Sequence, residues 1–312
     1  MIILSSLTII LIAGCSLLAW LWQKEKDTNQ QLLKTAEAIK KSAHRTELKN
    51  ARDLDMARRI QSGLLTANRI QHRNVQLSGF CQPAEKIGGD FFILGKKIDH
   101  LIHNQATDRT GIIRFQSTKE ELLHVAIGDV SGHGVASALV MILAKSTLEE
   151  LFAKQIGPRA MMQEANRRLL EYTEGSAINF VTAFAGEIDA RTSTFTYSKA
   201  GHTPPLLFRK SGATLMLETE GVFLGMFASP DYEEKTIQLE KGDKIFLYTD
   251  GLSEAKNAQD ELLGSQRLTE IVRNNLWLSG ENFFQKVIDE VKDYAGQIIL
   301  GDDITMVLVE VT

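Results

Sequence analysis

The stretch Leu122-Leu-His-Val-Ala-Ile-Gly-Asp-Val-Ser-Gly-His-Gly134 decides the fold, because it joins a strand, a tight turn and a helix. The mostly apolar run Leu122–Ile127 predicts a buried strand, and the pattern of Val135–Lys154 predicts a long helix. Asp129 lies between the two, where the flanking glycines let the backbone turn tightly. A carboxylate at a strand end, carried by a turn, is a candidate functional residue.

Three other aspartates lie in similar glycine-bounded motifs. Asp90 lies in Lys86-Ile-Gly-Gly-Asp-Phe-Phe92, Asp250 in Tyr248-Thr-Asp-Gly-Leu252, and Asp302 in Gly301-Asp-Asp-Ile-Thr305. A run ending at Tyr248 and, less clearly, the run Ile298–Leu300 predict strands before Asp250 and Asp302. Acids gathered in this way either raise one another's pKa or recruit a cation. Because all the ligands are oxygens, a hard cation such as Mg²⁺ or Mn²⁺ is expected.

From Val75 onward the pattern is mostly strand, interrupted by three helical blocks. Hairpin-like strands without regular strand–helix alternation predict antiparallel sheets in an α+β layered fold and argue against a Rossmann domain. The predicted strands are Val75–Gln82, Phe91–Leu94, Ile112–Gln116, Leu122–Ile127, Val181–Ile188, Thr194–Lys199, Thr203–Arg209, Thr236–Leu239, Lys244–Tyr248 and Ile304–Val311. The predicted helical blocks are Val135–Lys154, Pro158–Tyr172 and a C-terminal pair, Ser265–Asn275 and Glu281–Tyr294. Residues 96–121 form an excursion.

Charge is distributed unevenly along the 312 residues, of which 44% are apolar and 24% charged. Residues 24–73 carry a net charge of +6 and residues 74–312 one of −10. An acidic body argues against nucleic-acid binding. The two cysteines, Cys15 and Cys81, cannot form a disulfide framework within the body, so a reducing compartment is the simplest interpretation.

The first 22 residues predict a membrane anchor. Ile2–Trp22 carries no charge and has the length of a bilayer span. Lys24 and Lys26 follow at once, so the positive-inside rule places the body in the cytoplasm. A lipoprotein cleavage box ending at Cys15 is the alternative, but no basic segment precedes it and the apolar run continues beyond it.

Residues 24–67 predict a helical neck, because they are rich in good helix formers and contain no proline. Leu32, Ala36, Ile39 and Ala43 have coiled-coil spacing, which is then interrupted. Two interpretations stay open: a solvated helix on the surface of the body, and a linker that pairs two copies and transmits a signal. The expected domains are an anchor over 1–22, a linker over 23–73 and a catalytic body over 74–312.

The motifs resemble those of the metal-dependent serine/threonine protein phosphatases, the PPM family, in its bacterial SpoIIE-type branch. The resemblance runs from about Leu54 to the C-terminus. It also rests on Asn179-Phe-Val-Thr-Ala183, Ala200-Gly-His-Thr-Pro-Pro205 and the Gly221–Gly225 segment, and on Met56–Leu65, which is similar to the helix before the core in this branch. It implies a sandwich of two antiparallel sheets flanked by helices, with two Mn²⁺ or Mg²⁺ ions at one edge.

The resemblance also implies roles for individual residues. Asp129 would bridge both metals, Val130 would offer its backbone carbonyl, and Asp90 would hold one metal directly or through water. Asp250 and Asp302 would hold the other metal, and the motif favours Asp302 over the adjacent Asp303. Lys86 is the only basic candidate for gripping the phosphate, and a solvated lysine is the alternative.

The implied reaction is hydrolysis of a phosphoserine or phosphothreonine by water activated between the two metals. His133 would protonate the leaving oxygen or serve only as a loop residue. Thr249 and Ser131 would orient the carboxylates. The resemblance suggests a phosphorylated STAS-type anti-sigma-factor antagonist as substrate. The alternatives are a catalytically inactive phosphoprotein-binding module and a diguanylate cyclase, whose signature needs an acid where Phe91 stands.

Overall fold

The computed structural model describes residues 2–65, 69–96, 122–173, 180–296 and 301–312, with backbone alone for residues 2–13. The chain divides into two compact units, Met1–Met56 and Ala57–Thr312. The predicted strand Ile112–Gln116, the excursion after Lys96 and the predicted strand Ile298–Leu300 lie outside the described residues.

The first unit is helical. Helix α1 spans Ile2–Leu64, which confirms that the neck is helical. All side chains from Gly14 to Asp53 are exposed, including the predicted coiled-coil positions Leu32 and Ile39, so pairing of two copies stays a prediction.

Over the described residues, no helix combines the length and the apolar character that crossing a bilayer requires. The side chains of residues 1–13, which make up more than half of the predicted anchor, lie outside the described part.

The second unit contains two antiparallel sheets and five further helices within the described ranges. The strands are β1 (Arg69–His72), β2 (Val75–Gln82), β3 (Phe91–Lys96), β4 (Leu122–Val130), β5 (Val181–Asp189), β6 (Thr194–Ala200), β7 (Leu206–Phe208), β8 (Thr214–Met216), β9 (Glu234–Gln238), β10 (Lys244–Tyr248) and β11 (Ile304–Val311). The helices are α2 (Val135–Lys154), α3 (Pro158–Thr173), α4 (Asp250–Ser253), α5 (Gly264–Asn275) and α6 (Gly280–Tyr294).

The strand orders are β1-β2-β11-β10-β7-β8 in one sheet and β3-β4-β5-β6-β9 in the other, and all the pairings between these strands are antiparallel. The prediction of an α+β fold with two antiparallel sheets is therefore confirmed.

Three apolar clusters hold the layers together. The middle cluster lies between the sheets and includes Phe92, Ile127 and Val307. A second cluster packs α2 and α3 onto the β4 sheet through residues such as Leu148. A third packs α5 and α6 onto the β10 sheet through residues such as Phe283. The layers therefore follow the order helices, sheet, sheet, helices.

The predicted element bounds need few corrections. The predicted strand Thr203–Arg209 shortens to Leu206–Phe208, because Pro204 and Pro205 lack the N–H that a ladder requires. The structure also contains the strands β1 and β8 and the short helix α4, which were not predicted. Each is only three or four residues long and so gives almost no periodic signal.

Candidate metal centre

The four predicted acids lie at the same end of both sheets. Asp90 directly precedes β3, and Asp129 is the penultimate residue of β4, the antiparallel neighbour of β3. Asp250 is the first residue of α4 and lies two residues after the end of β10. Asp302 lies two residues before the start of β11, the antiparallel neighbour of β10. Because an antiparallel strand begins where its neighbour ends, each sheet contributes two acids to this edge.

Two glycines let the motifs touch through their backbones. A Cβ at Gly89 would lie 2.9 Å from the carbonyl oxygen of Val130 and 3.5 Å from Oδ1 of Asp129. A Cβ at Gly251 would lie 2.0 Å from the carbonyl oxygen of Asp303, a distance no side chain tolerates. The Asp90 motif therefore packs on the Asp129 motif, and the Asp250 motif packs on the motif that contains Asp302 and Asp303.

Asp90 is the most deeply buried of the four acids. Its Oδ2 accepts a hydrogen bond of 2.7 Å from Oγ1 of Thr249, which confirms the predicted role of that threonine. The same Oγ1 accepts a hydrogen bond of 3.0 Å from the N–H of Thr305, so the hydroxyl is held in place. Burial and then the negative charge of Asp129 raise the pKa of Asp90 well above its usual value.

Asp129 is the electrostatic centre of the cluster. Burial, followed by the charges of Asp250, Asp302 and Asp303, raises the pKa of Asp129 to about 7, while a hydrogen bond with Asp90 opposes the shift. Asp129 therefore interacts with acids from both sheets, as a bridging residue requires.

The outer pair of acids is also perturbed. Burial and the charge of Glu254 raise the pKa of Asp250. Partial burial raises the pKa of Asp302, and the charges of Asp250 and Asp303 add to this. Asp302 is the most exposed of the four, and the backbone hydrogen bond from Asp303 and then the nearby His133 oppose the rise of its pKa.

The cluster suits a hard cation in charge and in donor chemistry. Among the described residues, no lysine or arginine figures among the main influences on these four pKa values. All the donors are oxygens, as Mg²⁺ and Mn²⁺ prefer. The described side chains do not form a closed ligand set, because no three acidic, histidine or cysteine side chains converge closely enough.

The predicted residues around the acids have mixed outcomes. Lys86 is exposed in the turn before Gly88. His133 is exposed at the rim, with its Nδ1 3.7 Å from Oε1 of Glu85. The prediction that Ser131 orients a carboxylate was wrong. Its Oγ accepts a hydrogen bond of 3.2 Å from the N–H of Phe180 and so holds the segment just before β5.

One buried histidine supports Asp129 in a way that the sequence did not indicate. Nδ1 of His202 lies 2.9 Å from Oγ1 of Thr182, and that hydroxyl donates to the carbonyl oxygen of Asp129 over 3.4 Å. Burial lowers the pKa of His202 to about 3, so its ring is neutral. The contact joins the Ala200-Gly-His-Thr-Pro-Pro205 motif to the acid cluster.

Comparisons with known proteins agree with this fold. The sequence profile of the family described as Stage II sporulation protein E (SpoIIE) matches residues 119–312. Phosphoserine phosphatase RsbU of Bacillus subtilis (strain 168) is 25% identical over 260 residues, which cover 82% of this chain and 69% of RsbU.

Two solved structures share the fold. The SiaA-PP2C domain of Pseudomonas aeruginosa matches with a TM-score of 0.65 and 20% identity, over 85% of this chain and 98% of that one. RsbX in complex with magnesium matches with a TM-score of 0.53 and 19% identity, over 78% of this chain and 98% of that one. The profile match covers more than half of the sequence, and this chain therefore belongs to the SpoIIE family of PP2C-type protein phosphatases.

Proposed function

We propose that this chain is a metal-dependent phosphatase that hydrolyses phosphoserine or phosphothreonine on a protein that takes part in bacterial signalling. The observation that carries the proposal is that four acids from two sheets lie at one edge, where burial and then the negative charges of Asp250, Asp302 and Asp303 raise the pKa of Asp129. Its relative RsbU is named a phosphoserine phosphatase, and RsbX is described in complex with magnesium.

The proposed ligand set follows the arrangement of the cluster. Asp129 and the backbone carbonyl of Val130 would bind metal at the centre of the cluster. Asp90 would bind metal on one side of Asp129, and Asp250 and Asp302 would bind metal on the other side. Two Mn²⁺ or Mg²⁺ ions held by these residues would supply hydroxide near neutral pH and would offset charge on the phosphoryl oxygens.

The residues of the chain have separate tasks in this reaction. Thr249 holds the carboxylate of Asp90 through its 2.7 Å hydrogen bond. The network from His202 through Thr182 fixes the backbone of Asp129. His133 lies at the exposed rim, where it can donate a proton to the leaving serine oxygen. The exposed Lys86 is proposed to contact the substrate phosphate.

The proposed substrate is a phosphorylated regulatory protein, of the STAS type that the family resemblance suggests. Its phosphoserine would approach the exposed side of the cluster, where Asp302 and His133 meet solvent. The proposed control is pairing of two copies through the helical neck.

We also propose that the chain is a single-pass protein of the cytoplasmic membrane with its catalytic body in the cytoplasm. The uncharged run Ile2–Trp22 and the lysines after it support this. Nζ of Lys24 lies 5.0 Å from the ring centroid of Trp20, and Nζ of Lys26 lies 5.2 Å from that of Trp22. Exposed tryptophans paired with lysines suit the boundary between lipid and water.

The test of the activity is release of phosphate from a phosphoserine protein by the full-length chain in detergent. We expect turnover with added Mn²⁺, none in EDTA, and none from the Asp129→Asn variant at any Mn²⁺ concentration. Turnover in EDTA that equals the turnover with Mn²⁺ would contradict the metal-dependent mechanism. Binding of the phosphoprotein without any turnover would support an inactive binding module instead.

A further inference from the structure

The loop that carries Asp90 is held by two side chains from distant parts of the sequence. This loop, residues 83–90, joins β2 to β3 and has no regular secondary structure. The backbone N–H groups of Gly88, Gly89 and Asp90 are nevertheless all bonded, and each bonds to a side chain from outside the loop. The position of Asp90 therefore depends on those two side chains, which belong to Asp303 and Gln61.

Asp303 binds both ends of the loop. Its Oδ2 accepts hydrogen bonds of 2.7 Å from the N–H of Gly89 and 3.3 Å from the N–H of Asp90. Its Oδ1 accepts one of 2.8 Å from the N–H of Ala84. Hydrogen bonds to an ionised carboxylate are stronger than neutral ones. Asp303 is buried, and both of its carboxylate oxygens accept hydrogen bonds from N–H groups of the loop.

The fit around Asp303 is close on both sides. A Cβ at Gly88 would lie 2.1 Å from Oδ2 of Asp303, and a Cβ at Gly251 would lie 2.0 Å from its carbonyl oxygen. Two motif glycines are therefore needed to make room for this one residue. The adjacent Asp302 is exposed, with its Oδ1 accepting from the N–H of Asp303 over 2.8 Å.

Gln61, in the last turn of α1, grips a single residue of the loop from the other side. Its Oε1 accepts from the N–H of Gly88 over 3.1 Å, and its Nε2 donates to the carbonyl oxygen of Gly88 over 2.7 Å. Gln61 is buried, whereas its neighbours Ile60 and Ser62 are exposed. The end of the helix is thus tied to a backbone position two residues before Asp90.

We propose that Asp303 and Gln61 are positioning residues that fix the carboxyl group of Asp90, and that Asp303 is not itself a metal ligand. We call Asp303 and Gln61, together with the loop N–H groups that they bind, the clamp. The clamp is a feature of the metal-free fold. Its effect on metal binding and turnover rests on the proposed function. A displacement of the end of α1 would then reach Asp90 through Gln61.

The first experiment measures the clamp by amide hydrogen exchange of the full-length chain in EDTA, read on peptides that cover residues 84–90. We expect Asp303→Asn and Gln61→Met to raise exchange there by about tenfold or more. The first replaces one acceptor oxygen with an NH₂ group, and the second removes the acceptor of the Gly88 N–H, which lies outside any regular strand or helix. Asp302→Asn should leave this exchange unchanged. Unchanged exchange in both clamp variants would overturn the proposal.

Two matched controls separate the clamp from general loss of stability. Asp243→Asn changes another buried aspartate, which accepts from the N–H of Glu240 over 2.8 Å at the opposite end of β10. Gln31→Met makes the glutamine change at an exposed site on α1. Neither should alter exchange at residues 84–90. If Asp303→Asn does not fold, Gln61→Met decides, because it leaves Asp303 intact.

The second experiment titrates the same proteins with Mn²⁺ by calorimetry and measures kcat on a phosphoserine protein. Loss of an outer-shell partner should weaken Mn²⁺ affinity or lower kcat by about 10- to 100-fold in Asp303→Asn and Gln61→Met. Faster exchange with unchanged Mn²⁺ affinity and kcat would overturn the positioning role. A wild type without Mn²⁺ binding or phosphate release would refute the proposed function, while the exchange result would still decide the clamp.

Discussion

Removing the charge of Asp129 should stabilise the metal-free protein, although it abolishes the proposed activity. The pKa of this carboxyl rises from its usual 3.8 to about 7 in the folded chain, mainly through burial. A carboxyl group with a raised pKa costs the folded state stability as the pH climbs from the unfolded value to the folded one. Asp129→Asn keeps the shape of the side chain and removes that cost.

The magnitude follows from the shift. One pKa unit corresponds to about 1.4 kcal/mol. Between about pH 5 and pH 7, two units within the shift, the advantage of the variant in unfolding free energy should therefore grow by about 3 kcal/mol. The gain should stay level above about pH 7, where the folded carboxyl is already ionised. Because Asp129 titrates together with Asp90, part of the gain will be shared between the two.

The assay is urea unfolding of both proteins in EDTA at several pH values across this range. Asp289→Asn, an exposed acid in α6, is the matched control and should show no such pH-dependent gain. Saturating Mn²⁺ should then reverse the order, because ligand binding stabilises only the protein that binds it. An advantage of Asp129→Asn that is the same at every pH would refute the electrostatic reasoning.

Three further predictions concern the support of the site, the anchor and the neck. Thr249→Val should destabilise the fold by about 1–3 kcal/mol in urea unfolding, because it leaves Asp90 and the Thr305 N–H without their buried partner. Thr269→Val, at a half-buried site in α5, is the control and should cost less. The full-length protein should sediment with membranes and resist salt extraction, while a chain that starts near Asp27 should remain in the supernatant; full-length protein in the supernatant without detergent would refute the anchor. Changing the exposed Ile60 and Leu64 to Asn should lower kcat if pairing through the neck raises activity, and equal kcat with equal Mn²⁺ affinity would make the neck a spacer.

The sequence predicted the sheets and the positions of the four acids at strand ends, for a local physical reason. Apolar runs of strand length end next to an aspartate that has a glycine beside it, and both signals are visible within a few residues of Asp129 and Asp250. The bounds of β2, β10, β11 and α2 agree with the predicted ones for the same reason.

The supports of the acids could not be predicted, because they depend on contacts between distant positions. Asp303 bonds to Gly89, which is 214 residues away, and Gln61 bonds to Gly88, which is 27 residues away. Ser131 lies close to Asp129 in sequence, yet its hydroxyl turns to Phe180 on the neighbouring chain segment. Adjacency in sequence was therefore misleading for Ser131 and uninformative for Asp303.

The central claim is that acids from both sheets form one metal centre around Asp129. The most direct measurement is anomalous X-ray scattering at the manganese edge from crystals grown with Mn²⁺. We expect two strong peaks, about 3.5–4 Å apart, with Asp129 between them. Asp90 would lie on one side of the pair, and Asp250 with Asp302 on the other. Full Mn²⁺ occupancy elsewhere in the crystal, with no peak beside Asp129, would contradict the claim.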